Sequence, residues 1–157
     1  MPQADFAPFR PATAADMPSL LGLMRTFYAE EGYPFSEQGA AGAVRHLLEN
    51  DRVGRIWVAG GDRELLGYVV LTFGYSLEHH GVVAFVDEVF VMSASRGRGL
   101  GTRALALAET ECRALGVRTL QLEVERENIA AQELYHRSGF NDHGRFLLTK
   151  RLTKENA

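Results

Sequence analysis

Apolar residues recur at helical spacing from Met17 to Tyr28, at Met17, Leu20, Leu21, Met24, Phe27 and Tyr28. That spacing gathers them on one stripe of a helix. Thr13, three residues before Asp16, reads as its cap, and Gly32-Tyr33-Pro34 as its stop. Ser36 caps a second helix that reaches Asn50, with Val44, Leu47 and Leu48 inward. The pattern then changes to strand-like runs, Arg55 to Ala59 and Leu65 to Ser76, joined by the turn residues Gly60-Gly61-Asp62. Two such runs around such a turn predict a hairpin. After a loop from Leu77 to Gly81 comes a long apolar run, Val83 to Met92. A helix follows from Leu100 to Leu115, with Leu105, Ala108, Cys112 and Leu115 on one face and Gly116 at its end. Thr119 to Val124 reads as a strand, Ile129 to Ser138 as a short helix opened by Asn128, and Arg145 to Arg151 as a final strand. Phe6 to Ala12 reads as a first strand, confined to an edge by Pro8 and Pro11.

The predicted order is therefore β-α-α-β-β-β-α-β-α-β. Consecutive hairpin strands pair antiparallel, and a helical crossover from Val83–Met92 to Thr119–Val124 makes a parallel pair. The expected fold is a mixed α/β sheet with helices on both faces. With 157 residues, one domain spanning 1–157 is the default.

Charge and cysteine usage narrow the function. A net charge of −3 argues against a general nucleic-acid binder, which needs a broad basic surface. The lone cysteine, Cys112, excludes an internal disulfide and suits a reducing cytosol; on the inward helix face it reads as a structural thiol. No apolar run approaches a membrane span. Met1 to Arg10 holds Asp5 and two prolines without an apolar core, so no signal peptide is expected. A cytoplasmic protein with neither membrane nor nucleic-acid partner is expected. His79-His80 has no other ligand at metal-site spacing, so a loop pair rather than a metal site is expected.

The chemistry concentrates at Arg96-Gly97-Arg98-Gly99-Leu100-Gly101-Thr102, between the long apolar run and the helix after it. The first N–H groups of a helix have no internal partner, and with the helix dipole they attract phosphate. No acidic residue occurs from Ser93 to Ala108. The P-loop pattern fails here, because Gly101 precedes Thr102 with no lysine between. The dinucleotide fingerprint fails too, because counting from Gly97 its last glycine falls on Thr102.

What the segment does match is R/Q-x-x-G-x-G/A, at Arg96, Gly99 and Gly101. Downstream, Asn128-Ile-Ala-Ala131, Leu134-Tyr135 and Gly139-Phe140 match N-x-x-A-x-x-x-Y-x-x-x-G-F. With both motifs the chain resembles the GNAT superfamily of N-acetyltransferases, specifically from about Phe85 to Phe140. The resemblance implies a mostly antiparallel sheet whose central parallel pair splays apart to admit acetyl-CoA. It implies that Arg96, Gly97, Arg98, Gly99, Gly101 and Thr102 surround the diphosphate, and that Phe90 and Val91 offer main-chain hydrogen bonds to the pantetheine arm. Asn128 would contact the cofactor near the splay, and Tyr135 would protonate the departing thiolate. Arg98 and Arg103 either pair with CoA phosphates or are solvated surface charges. Asn128 also suits a helix cap, and Tyr135 a core aromatic.

The acceptor of such a reaction is an amine. Keeping an alkylamine of pKa about 10.4 neutral at pH 7 costs about 4.6 kcal/mol, so a base is expected. Asp87 and Glu88 are adjacent on the central strand and should face opposite sides. Glu88, in phase with Val86 and Phe90, is the favoured base; Asp87, another group or a water chain are the alternatives. Tyr28, Glu30, Glu31, Tyr33 and Glu78 either are solvated or receive a small cationic amine, since the family's helix–helix loop often borders the acceptor. Direct attack in a ternary complex is expected because no nucleophile–base pair is evident. The resemblance allows a homodimer. The rival reading is a non-catalytic acyl-CoA-binding regulatory module.

Overall fold

The computed structural model describes residues 8–154. The chain runs β1 (Arg10–Pro11), a 3-10 turn, α1 (Met17–Glu31), α2 (Glu37–Glu49), β2 (Gly54–Gly60), β3 (Leu65–Ser76) and β4 (Gly81–Val91). A second 3-10 turn leads to α3 (Leu100–Ala114), β5 (Thr119–Gln121) and α4 (Ile129–Arg137). The strands lie in the order β1-β2-β3-β4-β5. All neighbours pair antiparallel except β4 and β5, which are parallel. This is the expected mixed sheet.

Alternation along β2 and β3 explains why both faces are covered. Ile56, Val58, Tyr68 and Val70 turn to one side, where Leu20, Met24 and Val44 of α1 and α2 close over them. Trp57, Val69 and Leu71 turn to the other, under Ala104, Leu105, Ala108 and Cys112 of α3. Each fully buried leucine stabilises the fold by roughly 1.5–3 kcal/mol relative to an exposed one. Leu115, expected on the inward face of α3, is 42% exposed because the helix has already ended at Ala114.

The decisive irregularity is in β4. Val70 pairs with Glu88 and Leu71 with Val86, so Asp87 has no opposite number and forms a bulge. A bulge bends the strand that carries it and shifts its alternation. Glu88 therefore shares a face with Phe90, among the α1/α2 residues, while Val86 packs on the α3 side. The expectation that Val86 and Glu88 are in phase is corrected by this extra residue. Parallel pairing with β5 ends just before the bulge, at Phe85 and Gln121. Beyond it β4 continues to Val91 with β3 alone, so β5 is shorter than the expected Thr119–Val124.

Two other expectations change. The first strand contracts to Arg10–Pro11; Phe6 and Ala7 lie outside the described residues. Arg145 to Arg151 forms no strand. A strand needs a neighbour to satisfy its main chain, and among the described residues no strand of the sheet pairs with this segment. Its three successive apolar residues Phe146, Leu147 and Leu148 do not alternate, and all are at least 67% exposed.

Candidate active site

The glycine segment lies just beyond the open half of β4. Gly97 and Gly99 have φ of 75° and 82°, a left-handed conformation costing other residues roughly 1–2 kcal/mol. Gly99 thereby turns the chain directly into α3. The first helical bond runs from the Arg103 N–H to the Gly99 carbonyl at 3.0 Å. The N–H groups of Leu100, Gly101 and Thr102 precede that bond and have no partner within the helix. Among the described residues no side chain caps this helix, and no acid lies in its first turn. By contrast, Ser36 accepts from the Gly39 N–H at 3.1 Å to cap α2, and Asn128 from the Ala131 N–H at 3.1 Å to cap α4. Gly101 has a packing role as well: a Cβ there would lie 3.1 Å from the Leu134 side chain of α4.

Arg96 sends its side chain toward α1. Its guanidinium pairs with Glu30 of α1 at 2.5 Å, donates from Nε to the Val91 carbonyl at 2.9 Å, and lies over the Phe90 ring at 5.5 Å. The side chain thus ties the glycine segment to α1 instead of pointing at the start of α3. This also accounts for Glu30 at the end of that helix.

Phe90 is corrected. The Met92 N–H donates to the Leu66 carbonyl at 2.8 Å. Main-chain direction alternates along an antiparallel pair, so Phe90 also directs its main chain at β3. Consistently, a Cβ on Gly67 would sit 2.6 Å from the Phe90 carbonyl oxygen. The main-chain groups that point away from β3 belong to Val89 and Val91, the Val91 carbonyl already accepting from Arg96.

Glu88 sits where the gap opens. Tyr28 donates to its Oε2 and Tyr68 to its Oε1, each at 2.7 Å. Burial raises the carboxyl above the ordinary glutamate range, and the two hydroxyl donors pull it back down. The tyrosines respond in the opposite sense: desolvation first, then the Glu88 charge, pushes both hydroxyls up. Asp87 is exposed at the bulge. The bulge brings it to the wall of the same cavity as Glu88, where loss of surrounding water raises its carboxyl. Among the described residues, neither carboxylate forms an ion pair.

Across the sheet, Tyr135 packs with Phe140 against the α3 side, ring centroids 6.2 Å apart. Burial raises its hydroxyl, with a smaller push from the Glu31 charge. Glu31, Tyr33 and Asn128 line an open basin of about 560 Å³ with Glu30, Glu125 and Glu127. The Tyr33 hydroxyl donates to Glu125 and is pushed up to about 12, chiefly by that bond. Tyr28 faces the cavity of Asp87 and Glu88 and touches the Tyr33 ring edge-on. It thus stands between the two recesses. Glu78 belongs to neither: both its oxygens accept from Arg145 at 2.8 Å. Cys112 is 4% exposed and its thiol is pushed up to about 11 by burial, so it is no nucleophile. Arg98 and Arg103 are exposed. No group of three or more histidine, cysteine or acidic side chains among the described residues is arranged to hold a metal.

Tyr68 and Glu125 escaped the sequence reading. The alternation Glu123, Glu125, Glu127 after β5 was the available signal for the second. For Tyr68 it was a phenol in a strand whose buried hydroxyl needs an acceptor.

A mixed sheet whose parallel pairing stops at Phe85 and Gln121, with an uncapped helix start beyond it, is the arrangement that the resemblance to N-acetyltransferases implies. Residues 21–140 match the model of the Acetyltransferase (GNAT) family. Aminoalkylphosphonate N-acetyltransferase of Salmonella typhimurium is 28% identical over 144 residues, 91% of this chain and 90% of that protein. The crystal structure of integron cassette protein HFX_CASS3, from the mobile metagenome of Cole Harbour Salt Marsh, is 39% identical with a TM-score of 0.83, over 93% of this chain and 91% of that one. Aminoglycoside N-acetyltransferase AAC(6')-Iy, solved in complex with CoA, shares the fold at 18% identity and a TM-score of 0.78, over 92% and 94% of the two chains. The chain belongs to the GNAT family and is an N-acetyltransferase with acetyl-CoA as co-substrate.

The residues present fit that co-substrate. The N–H groups opening α3, with no side-chain cap and no first-turn acid among the described residues, suit a diphosphate, and the main chain of Val89 and Val91 suits an amide-bearing arm. Among the described residues no helix is long and apolar enough to cross a membrane.

Proposed function

We propose that this enzyme acetylates a small cationic primary amine by direct attack in a ternary complex, with Glu88 as base and Tyr135 as acid. The observation that carries the reading is Glu88 itself: a half-buried carboxylate, oriented by two phenols, with no ion pair among the described residues. A charge held this way is costly unless used or matched. An incoming ammonium matches it, and the acidic basin of Glu31, Glu125 and Glu127 beside Tyr33 favours the approach of a cation.

Bound acetyl-CoA supplies an acyl group activated as a thioester. The chain's residues then handle protons. Glu88, directly or through a water, takes the proton that keeps the amine from attacking; its raised pKa narrows the gap between base and ammonium. The neutral amine nitrogen forms a bond to the acetyl carbon as the carbon–sulfur bond breaks, and the surplus proton on that nitrogen passes to the departing thiolate, through water, leaving the amide and the CoA thiol. Tyr135 donates toward the departing sulfur. Because burial raises the Tyr135 hydroxyl, full proton transfer to a thiolate of pKa about 8.5 is uphill, and its contribution is a positioned hydrogen bond. Gly97, Gly99, Gly101 and Thr102 hold the diphosphate through main-chain donors, and Asn128 keeps α4 in place beside the gap.

A panel of primary amines assayed for CoA thiol release tests the reading. Turnover of at least one is expected. Tyr135→Phe should lower kcat more than acetyl-CoA affinity; equal loss of both would assign Tyr135 to packing.

A further inference from the structure

We propose that the acceptor carries an apolar chain or ring, which fills a cavity between α1, α2 and the sheet while its ammonium meets Asp87 and Glu88. This rests on the proposed amine acetylation and specifies its substrate class. The cavity measures about 370 Å³, within the range of small-molecule sites. Its floor is the cross-strand row Ile56, Val70 and Glu88, in register through β2, β3 and β4. Its walls include Met24 from α1 and Phe35 from the loop before α2. Most of what it touches is hydrocarbon, Tyr28 and Ser36 add hydroxyls, and its charged edge is the pair of carboxylates at the β4 bulge.

Three features make this a receptor for an amphiphilic amine instead of a packing defect. First, the α2 residues facing it are small: Gly39, Ala40 and Ala43. Larger side chains there would fill the space, and native cores tolerate few voids. Second, the polar end has a definite sign. Asp87 and Glu88 form no ion pair among the described residues, so a cation completes them. Third, that end lies where β4 parts from β5, so an amine seated there has its nitrogen toward the gap and its tail away from it. A second ammonium at the tail would enter hydrocarbon unpaired, which is strongly unfavourable. The same cavity therefore selects against diamines.

The experiment compares kcat/KM for ethylamine, butylamine, hexylamine and 2-phenylethylamine at saturating acetyl-CoA, with 1,4-diaminobutane as the charged counterpart of butylamine. Each buried methylene should raise kcat/KM by about fourfold until the cavity is full, and butylamine should exceed 1,4-diaminobutane by at least about tenfold. Ala43→Leu and, independently, Ala40→Leu narrow the cavity with a good helix former. Either should reduce the ratio of 2-phenylethylamine to ethylamine turnover, and calorimetry should show weaker 2-phenylethylamine binding. A flat amine series, or preference for 1,4-diaminobutane, overturns the inference while acetyl transfer to amines stands. Acetyl-CoA binding without turnover of any amine overturns the amine reading and this inference with it. The wild-type series decides the question even if both variants fail to fold.

Discussion

On one side of the sheet, α1 and α2 enclose a row of polar groups, Tyr28, Glu88 and Tyr68, bonded to one another. On the other, α3 closes over Trp57, Val69, Leu71, Ala84 and Val86, and the side-chain polar atoms of that cluster are scattered, on Trp57, Cys112 and, at its border, Tyr135. Hydrocarbon packs to uniform density, so the α3 side forms a stiff support that holds the glycine segment and the start of α3 in one place. The α1/α2 side trades packing for directed hydrogen bonds and keeps a cavity. In the proposed mechanism the difference separates two tasks: one face anchors the co-substrate, the other receives and deprotonates the acceptor.

Substitutions that move turnover and cofactor binding apart test that division. The largest expected effect is at Glu88. Glu88→Gln should lower kcat by about 10²–10⁴-fold, the usual range for a lost acid–base group, with acetyl-CoA affinity from calorimetry nearly unchanged. A parallel loss of affinity would show that the two faces are not separate. Next comes Tyr68→Phe, which removes a hydrogen bond to a charged group and should cost about 1.5–3 kcal/mol in denaturant unfolding. The Tyr68 hydroxyl lowers the Glu88 pKa. Its loss should therefore shift the acidic limb of the kcat/KM profile to higher pH; an unmoved limb would argue against Glu88 as the titrating base.

Gly99→Val acts on the other face and should give the reverse signature. The left-handed φ of 82° costs valine roughly 1–2 kcal/mol, expected as roughly tenfold weaker acetyl-CoA binding with kcat at saturation little altered. The smallest effect is at Asp16. Arg10 donates to it at 2.7 and 2.8 Å, and this pairing lowers its carboxyl from 3.8 to about 2. A pKa depressed by folding contributes stability above the unfolded value and loses it as pH falls toward the folded one. Asp16→Asn should thus cost about 1 kcal/mol at pH 7, allowing for the solvent around partly exposed Arg10. The stability difference should vanish as pH falls from about 4 to about 2. A constant difference across that window would remove Asp16 from the ion-pair account.

Local chemistry made much of this legible from the residues alone. The spacing of Leu20, Leu21 and Met24 identifies α1, and Ser36 marks the start of α2. Gly97, Gly99 and Gly101, with no acid in reach, mark a helix start prepared for an anion. These signals depend on residues a few positions apart, where covalent geometry dictates the outcome. The bulge at Asp87 was not legible, because strict alternation assumes an unbroken register and only the pairing with β3 reveals the extra residue. Nor was Tyr28 meeting Glu88, separated by 60 positions, or Tyr33 meeting Glu125, separated by 92. The final strand failed for a related reason: strand propensity in Arg145–Arg151 needs a partner edge, and propensity cannot supply one.

The residues by themselves thus determined the helices, the hairpin and the glycine turn into α3, since each follows from short-range sterics and hydrogen bonding. Which carboxylate meets which phenol, which way Arg96 points and where the sheet parts were decided only by packing, because those distances depend on how distant elements share one core.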